Sequence, residues 1–242
     1  MAAKIIISYD DTDNDRDALA LGRLLAQAGG EVSLAYVRHT PQADGDLEED
    51  AARELLRRGA EAIGAPDAPL HVVASASTGE GLWALAEREG ADAIVFGSEY
   101  RTAPGAVRPG TSAQRLLEGG PCAVAIAPAK LRERPGAAIR RIGLLADVPT
   151  GGASGTAQTL AAALGAEVVR AGDGAIDLLV VASRPEAPAG RVNVSAAAAY
   201  AVETATCPVL VVPHSVTVPF GRGPAEPATP PAAPADEPLA TA

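Results

Sequence analysis

The segment DAIVFGSEYRTAPGAVRPGTSAQRLLEGGPCAVAIAP, residues 92–128, decides the fold. Residues 92–97 are a short apolar run typical of a buried strand, and residues 122–128 are another. Between them lie a loop rich in Pro and Gly and a stretch over 111–118 that predicts a helix. A strand, a crossover helix and a second strand in this order predict parallel neighbours in one sheet.

The same alternation of strand and helix precedes this segment. KIIISYD, residues 4–10, is a β-branched run of the kind found in strands buried on both faces. Capping residues, apolar spacing and glycine stops predict further strands over 31–37 and 70–76, and helices over 12–30, 46–64 and 78–90. We therefore expect an α/β fold, in which a mainly parallel sheet is flanked by helices on both faces.

The chain contains an internal repeat. Residues 92–128 align without gaps on 177–213 at an offset of 85, and the coincident pairs include Ser98/Ser183, Gly105/Gly190, Val107/Val192, Cys122/Cys207 and Pro128/Pro213. Residues 140–169 resemble 4–32 at an offset near 136. The offset falls by 51 residues between the two alignments, so the second copy lacks the second helix, third strand and third helix of the first.

Two related domains follow from this repeat, the second of them trimmed. We place the full domain at residues 1–128, a charged linker at 129–138 and the trimmed domain at 139–215. Residues 216–242 are rich in Pro and Ala and carry too little apolar content to fold, so we expect a disordered tail.

Composition narrows the class of protein. The net charge of −10 argues against binding to nucleic-acid backbones, which attract clustered Lys and Arg. The sequence has no apolar run of about 18 residues, and acidic residues follow the first strand too early for a signal peptide. Two cysteines without a disulfide framework fit a reducing compartment. We expect a cytoplasmic protein that binds neither nucleic acid nor membrane.

Over residues 3–215 the sequence resembles the universal stress protein family in its tandem form. The resemblance rests on the order of five strands, on SYDDT at the end of the first strand and on the glycine loop after the fourth. Nucleotide-binding members carry Gly-x2-Gly-x9-Gly-[Ser/Thr] there. This sequence keeps Gly97, Gly110 and Thr111 at that spacing and has Tyr100 in place of the middle glycine. The second copy has Ala182, Pro185, Ser195 and Ala196 at the four places.

The resemblance implies two Rossmann-like domains and an adenine nucleotide that acts as a regulatory ligand in the stress response. It implies ATP or AMP, with Mg²⁺ accompanying only ATP, no catalytic residues, and at most a slow ATPase activity. The nucleotide-binding residues that it implies, all in the first domain, are Ser8, Asp10, Val37, Gly97, Ser98, Gly110, Thr111 and Ser112.

The residue chemistry agrees with such a site. Gly97 permits either a positive φ or a close backbone approach directly after the buried strand. Gly110, Thr111 and Ser112 open a helix whose free N–H groups suit a phosphate. Asp10 could accept hydrogen bonds from ribose hydroxyls or a base amine. The alternatives without a ligand are that the glycines only permit a long crossover loop, and that Asp10 is simply an acidic residue at the start of a helix. GAVRPGTS has Walker A spacing but lacks the lysine, which argues against phosphoryl transfer.

The sequence is also compatible with a second function. The chain could be a nucleotide-free interaction module, in which the two copies pair through their matching last strands, CAVAIAP and CPVLVVP, as an intramolecular pseudo-dimer. A homo-oligomer through other surfaces is a further expectation about partners. Cys122 and Cys207 are interpreted as buried small residues, Trp83 as core, and the three scattered histidines as no metal site.

Overall fold

The fold alternates strands and helices along the chain. A computed structural model describes residues 2–39, 47–146 and 151–221. The strands are β1 (Lys4–Ser8), β2 (Glu31–His39), β3 (Leu70–Ser75), β4 (Ala93–Phe96), β5 (Ala123–Ile126), β6 (Arg141–Leu145), β7 (Glu167–Arg170), β8 (Leu178–Ala182) and β9 (Val209–Val212). The helices are α1 (Asp13–Gln27), α2 (Glu49–Ala62), α3 (Thr78–Glu89), α4 (Thr111–Leu117), α5 (Gly152–Leu164) and α6 (Ala196–Thr204), with a 3₁₀ turn at Leu131–Glu133.

These strands form one sheet in the order β3-β2-β1-β4-β5-β9-β8-β6-β7. Every neighbouring pair is parallel except β5 and β9, which run antiparallel with Ala125 opposite Leu210. Helices α1, α2 and α5 cover one face of the sheet, and α3, α4 and α6 cover the other. The predicted α/β class, with a mainly parallel sheet between two helical layers, is confirmed.

The two halves of the chain share this sheet and both cores. From the central β5–β9 pair outward, β9-β8-β6-β7 repeats the order β5-β4-β1-β2, and no described strand of the second half corresponds to β3. Backbone bonds across the junction are reciprocal: Val107 N–H donates to the carbonyl of Ala205, and Val192 N–H donates to the carbonyl of Gly120. The halves are therefore arranged about an approximate two-fold axis.

The chain that follows the last strand of each half packs on the first helix of that half. Behind β5, Asp17 of α1, which is 2% exposed, accepts from the backbone N–H groups of Lys130 and Arg132 at 2.8 and 3.0 Å. Behind β9, the buried hydroxyl of Thr156 accepts from Val218 N–H at 2.9 Å. Each anchor is the fifth residue of its helix.

The expectation that the disordered tail begins at residue 216 was wrong. Val218 and Phe220 are buried in the core, and Gly221 N–H donates to the carbonyl of Ala28 at 2.7 Å. Gly152 and Gly155 make this packing possible, because a Cβ on either would collide with Val216 or Thr217. The segment 215–221 therefore ties α5 to the end of α1. The rest of the predicted tail, 222–242, lies outside the described residues.

Candidate functional site

Apart from Val37, the predicted site residues lie at the carboxyl edge of the first half of the sheet, where β1 and β4 end and α4 begins. Strand β1 pairs with β2 on one side and β4 on the other, so the strand order reverses between β1 and β4. Open α/β sheets bind ligands at such a reversal. Ser8 ends β1, and Asp10 follows as an exposed residue. Val37 of β2 is instead 7% exposed and packs beneath α3, where a Cβ on Gly81 would lie 2.9 Å from it.

Gly97 is required by a close backbone approach. A Cβ at this position would collide with the carbonyl oxygen of Asn14 in the first turn of α1. Gly97 does not adopt a positive φ. Of the two predicted reasons for a glycine here, the close backbone approach is therefore the correct one. Gly97 thereby brings the start of α1, with its acidic residues, against the end of β4.

Gly110 differs from Gly97 because nothing surrounds its missing side chain. It is the N-cap of α4 in extended conformation, with φ −76° and ψ 172°, and a Cβ there would meet nothing within 4 Å. No side chain caps the helix, and its first turn holds no acidic residue. The first N–H groups of α4 have no intrahelical partner. Thr111 and Ser112, whose hydroxyls make no hydrogen bond among the described residues, flank this opening.

The hydroxyl of Ser98 is hydrogen-bonded to the protein backbone. Its hydroxyl, in a side chain that is 3% exposed, donates to the carbonyl of Ala127 at 2.7 Å and accepts from Arg108 N–H at 3.2 Å. In the second half, Ser183 makes the same two bonds, to Val212 and from Asn193. Because the network persists where the glycine pattern is lost, it explains the loop's equal length in both copies.

Carboxylates crowd the entrance at the start of α1. Thr12 caps the helix and donates its hydroxyl to Asp15 at 2.6 Å, while Asp10 accepts from Thr12 N–H at 3.2 Å. Burial, followed by the hydrogen bond and charge of Asp10, raises the pKa of Asp15 to about 8. Asp11 is held at a φ of 66°, and its neighbours Tyr9 and Arg16 lower its pKa. Asp15 therefore retains its proton near neutral pH.

Tyr100, which replaces the middle glycine of the family pattern, projects into solvent. Its side chain is 74% exposed, and the guanidinium of Arg101 lies 5.2 Å from the ring centroid. Nearby, Arg108 is exposed, and no ion pair involves it within the described ranges. A cation is thus available close to the open end of α4.

In the second half, a serine side chain caps the helix that follows the matching loop. Ser195 is the N-cap of α6, and its hydroxyl accepts from Ala198 N–H at 3.2 Å. This bond satisfies one of the donors that stay free at α4. The geometry agrees with a difference in chemistry between the two loops.

Other singled-out residues lie away from the site. Cys122 and Cys207 are buried, and burial raises the pKa of their thiols to about 12 and about 11. Trp83 is not core: it is half-buried on α3, with the guanidinium groups of Arg115 and Arg191 at 5.9 and 5.5 Å from its ring. In the described ranges, no group of three or more His, Cys, Asp or Glu residues is placed to hold a metal ion.

Sequence reasoning missed several residues that the structure makes prominent. In the sequence, Asp17 is only one of several acidic residues at the start of a helix. Its spacing with Leu21 and Leu25 nevertheless places it on the buried face of α1. Ser154 and His214 gave no signal, since their proximity depends on how α5 packs against β9. None of the described helices combines the length and apolar character needed to cross a bilayer.

Comparison with known proteins identifies the protein family. The model of the universal stress protein family matches residues 1–128, more than half of the chain. This protein belongs to that family. No curated protein matches it.

Among solved structures, a universal stress protein from Archaeoglobus fulgidus is similar, with 13% identity, a TM-score of 0.63 and coverage of 87% of this chain and 98% of its own. A Pseudomonas aeruginosa protein assigned provisionally to the same family gives 14% identity, a TM-score of 0.59 and coverage of 88% and 94%. At such identities these likenesses show the fold, and their coverage extends over both halves of the chain.

Proposed function

We propose that this universal stress protein binds one adenine nucleotide, ATP or AMP, at the carboxyl edge of its first half, as a regulatory ligand in a cytoplasmic stress response. The observation that carries the proposal is the open start of α4. Gly110 leaves space that no neighbour fills, and the helix has neither a side-chain cap nor an acidic first turn. A phosphate would find free N–H groups and the positive end of a helix dipole there.

The charges around the opening favour a defined orientation of the nucleotide. Arg108 and the hydroxyls of Thr111 and Ser112 lie on the α4 side, where phosphates would gain from them. Asp10 lies on the β1 side, where an exposed carboxylate can accept hydrogen bonds from ribose hydroxyls or a base amine. Mg²⁺ would accompany ATP, because carboxylate and phosphate oxygens are its preferred ligands.

A regulatory role is favoured over catalysis by the composition of the loop. Residues 97–112 contain no lysine, so the loop lacks the P-loop lysine that contacts the β- and γ-phosphates in phosphoryl-transfer enzymes. The nucleotide would stabilise the loop and the first turn of α1, which Gly97 holds in contact. We expect hydrolysis to be slow or absent.

A second candidate, a nucleotide-free interaction module, is favoured by a different observation. The carboxylate of Asp11, whose pKa is lowered by its hydrogen bond to Tyr9 and by Arg16, places negative charge at the start of α1, which opposes a phosphate that arrives without a cation. In that case the paired halves, joined through β5 and β9, would serve as a fixed two-sided platform.

Thermal unfolding of the full chain with and without MgATP separates the two candidates. At about 100 times Kd, a ligand adds about 2.7 kcal/mol, or roughly 5–10 °C in Tm for a chain of this size. Gly110→Val should abolish the shift, because its side chain fills the open start of α4. Ser195→Thr, which retains the hydroxyl cap of α6, should leave the shift intact. No shift in the unsubstituted protein would favour the platform.

A further inference from the structure

A separate cavity of about 130 Å³ lies at the start of α5, at the carboxyl edge of the second half. Its wall combines the first turn of α5 with the residues that follow β8 and β9. The polar and glycine positions in that wall are Gly151, Gly152, Ser154, Ser183, His214 and Ser215. The start of α6, with Ser195 as its cap, is not among the residues that line the cavity, so this site does not repeat the α4 site of the first half.

The first turn of α5 has free donors and no negative charge. Gly151 is the N-cap, no side chain caps the helix, and no acidic residue lies in its first turn. The helix is 13 residues long, so the positive end of its dipole is fully developed. The N–H groups of this turn have no intrahelical partner.

Two side chains in the cavity wall lack the partners that buried polar groups normally have. Ser154 is 8% exposed, and its hydroxyl makes no hydrogen bond within the described part of the chain. The Nδ1 atom of His214 is buried and also has no partner there. Native structures leave few polar side chains in such surroundings unpaired, so an unpartnered hydroxyl and imidazole in the wall of one cavity point to a missing ligand.

The same helix positions in the first half are filled differently. The cap of α1 is Thr12, and its third residue is Asp15, which bonds to the cap. In α5, Gly151 and Ser154 hold these positions, so both the cap and the charge are gone. Ala129 aligns with His214 in the repeat, so the imidazole is particular to the second half. The changes convert a self-capped, acidic helix start into one that is open, neutral and equipped with donors.

We propose that this cavity binds a small tetrahedral oxyanion, with inorganic phosphate as its simplest form, through the free N–H groups of α5, the hydroxyl of Ser154 and the imidazole of His214. The volume of 130 Å³ gives room for a small ion of this class. A whole nucleotide needs a pocket of about 300 Å³ or more. The oxyanion site is therefore distinct from the nucleotide site in position and in size of ligand.

The test is calorimetric titration of the full chain with inorganic phosphate, repeated on three variants. We expect one saturable site per chain. Ser154→Asp restores the carboxylate that α1 has at this position, and it should weaken binding at least tenfold. His214→Ala, the residue of the first half, should weaken binding about tenfold, as expected when one hydrogen bond to an ion is lost. Gly110→Val should leave phosphate affinity unchanged.

Sulfate should compete with phosphate, because its shape and acceptors are the same. Circular dichroism of each variant establishes that it is folded, and His214→Ala carries the test if Ser154→Asp does not fold. The proposal is overturned if phosphate shows no saturable binding at millimolar concentration, or if His214→Ala binds it as tightly as the unsubstituted chain. It is also overturned if Gly110→Val removes the binding, because the ion would then occupy the phosphate position of the nucleotide site.

Discussion

Replacing Asp17 by Ala should cost this protein more stability than any substitution of an exposed acidic residue. The carboxylate is 2% exposed and accepts from Lys130 N–H, Arg132 N–H and the guanidinium of Arg132, the last at 3.1 Å. Two backbone donors would lose their acceptor, at about 1–3 kcal/mol each, and a buried ion pair would be broken. Because these losses overlap, we expect about 3–5 kcal/mol, or roughly 6–20 °C in Tm.

The assay is urea unfolding of the full chain, with Asp13→Asn as the control. Asp13 pairs with the same guanidinium at 3.1 Å, but its side chain is 68% exposed, so its ion pair should contribute no more than about 1 kcal/mol. Asp17→Asn retains one acceptor oxygen and should fall between the two variants. If Asp17→Ala costs less than 1 kcal/mol with an unchanged m-value, the segment after β5 is not anchored as described, and the reasoning fails.

Three further predictions concern the glycines, the acidic pair and the junction. Gly97→Ala should destabilise the fold by about 1–3 kcal/mol in urea titrations, because its Cβ collides with backbone, whereas Gly110→Ala should stay within about 0.5 kcal/mol; equal effects would contradict the packing at Asn14. The pKa of Asp15, about 8 against about 3.9 in an unfolded chain, means that its stabilising contribution is complete at low pH and is lost as pH rises through 8. Asp15→Asn should therefore flatten the fall in stability between pH 4 and 8, and an unchanged slope would exclude the shift. A fragment of residues 1–138 exposes the antiparallel edge of β5 and should dimerise or aggregate, which sedimentation velocity would refute by showing a monodisperse monomer at micromolar concentration.

Most of the fold follows from local pattern. The predicted strand at 70–76 and helix at 78–90 each extend one residue beyond β3 and α3, because their apolar spacing and caps are encoded locally. The first strand ends at Ser8 rather than residue 10, since Asp10 begins a turn and Asp11 takes a positive φ that nothing in the local pattern indicates. The repeat, at an offset of 85, also anticipated which strands of the two halves match.

The site was less accessible to prediction, because its geometry depends on distant partners. Gly97 was singled out, but the reason for it is the carbonyl of Asn14, which is 83 residues away in the chain. From the sequence, Ser98 is expected to belong to a ligand-binding loop. In the structure its hydroxyl donates to the carbonyl of Ala127, a partner that the sequence pattern does not indicate. Val218 and Phe220 lie in a Pro-rich context typical of disorder, yet they are buried because α5 offers two glycines as a groove.

The number of adenine nucleotides bound per chain tests the central claim most directly. Calorimetric titration of the full chain with MgATP should give one site, and Gly110→Val should reduce that number to zero, since the valine side chain fills the open start of α4 where the phosphates are proposed to bind. Zero nucleotides bound by the unsubstituted chain would contradict the proposed function. Two would contradict the closed state of the α6 loop.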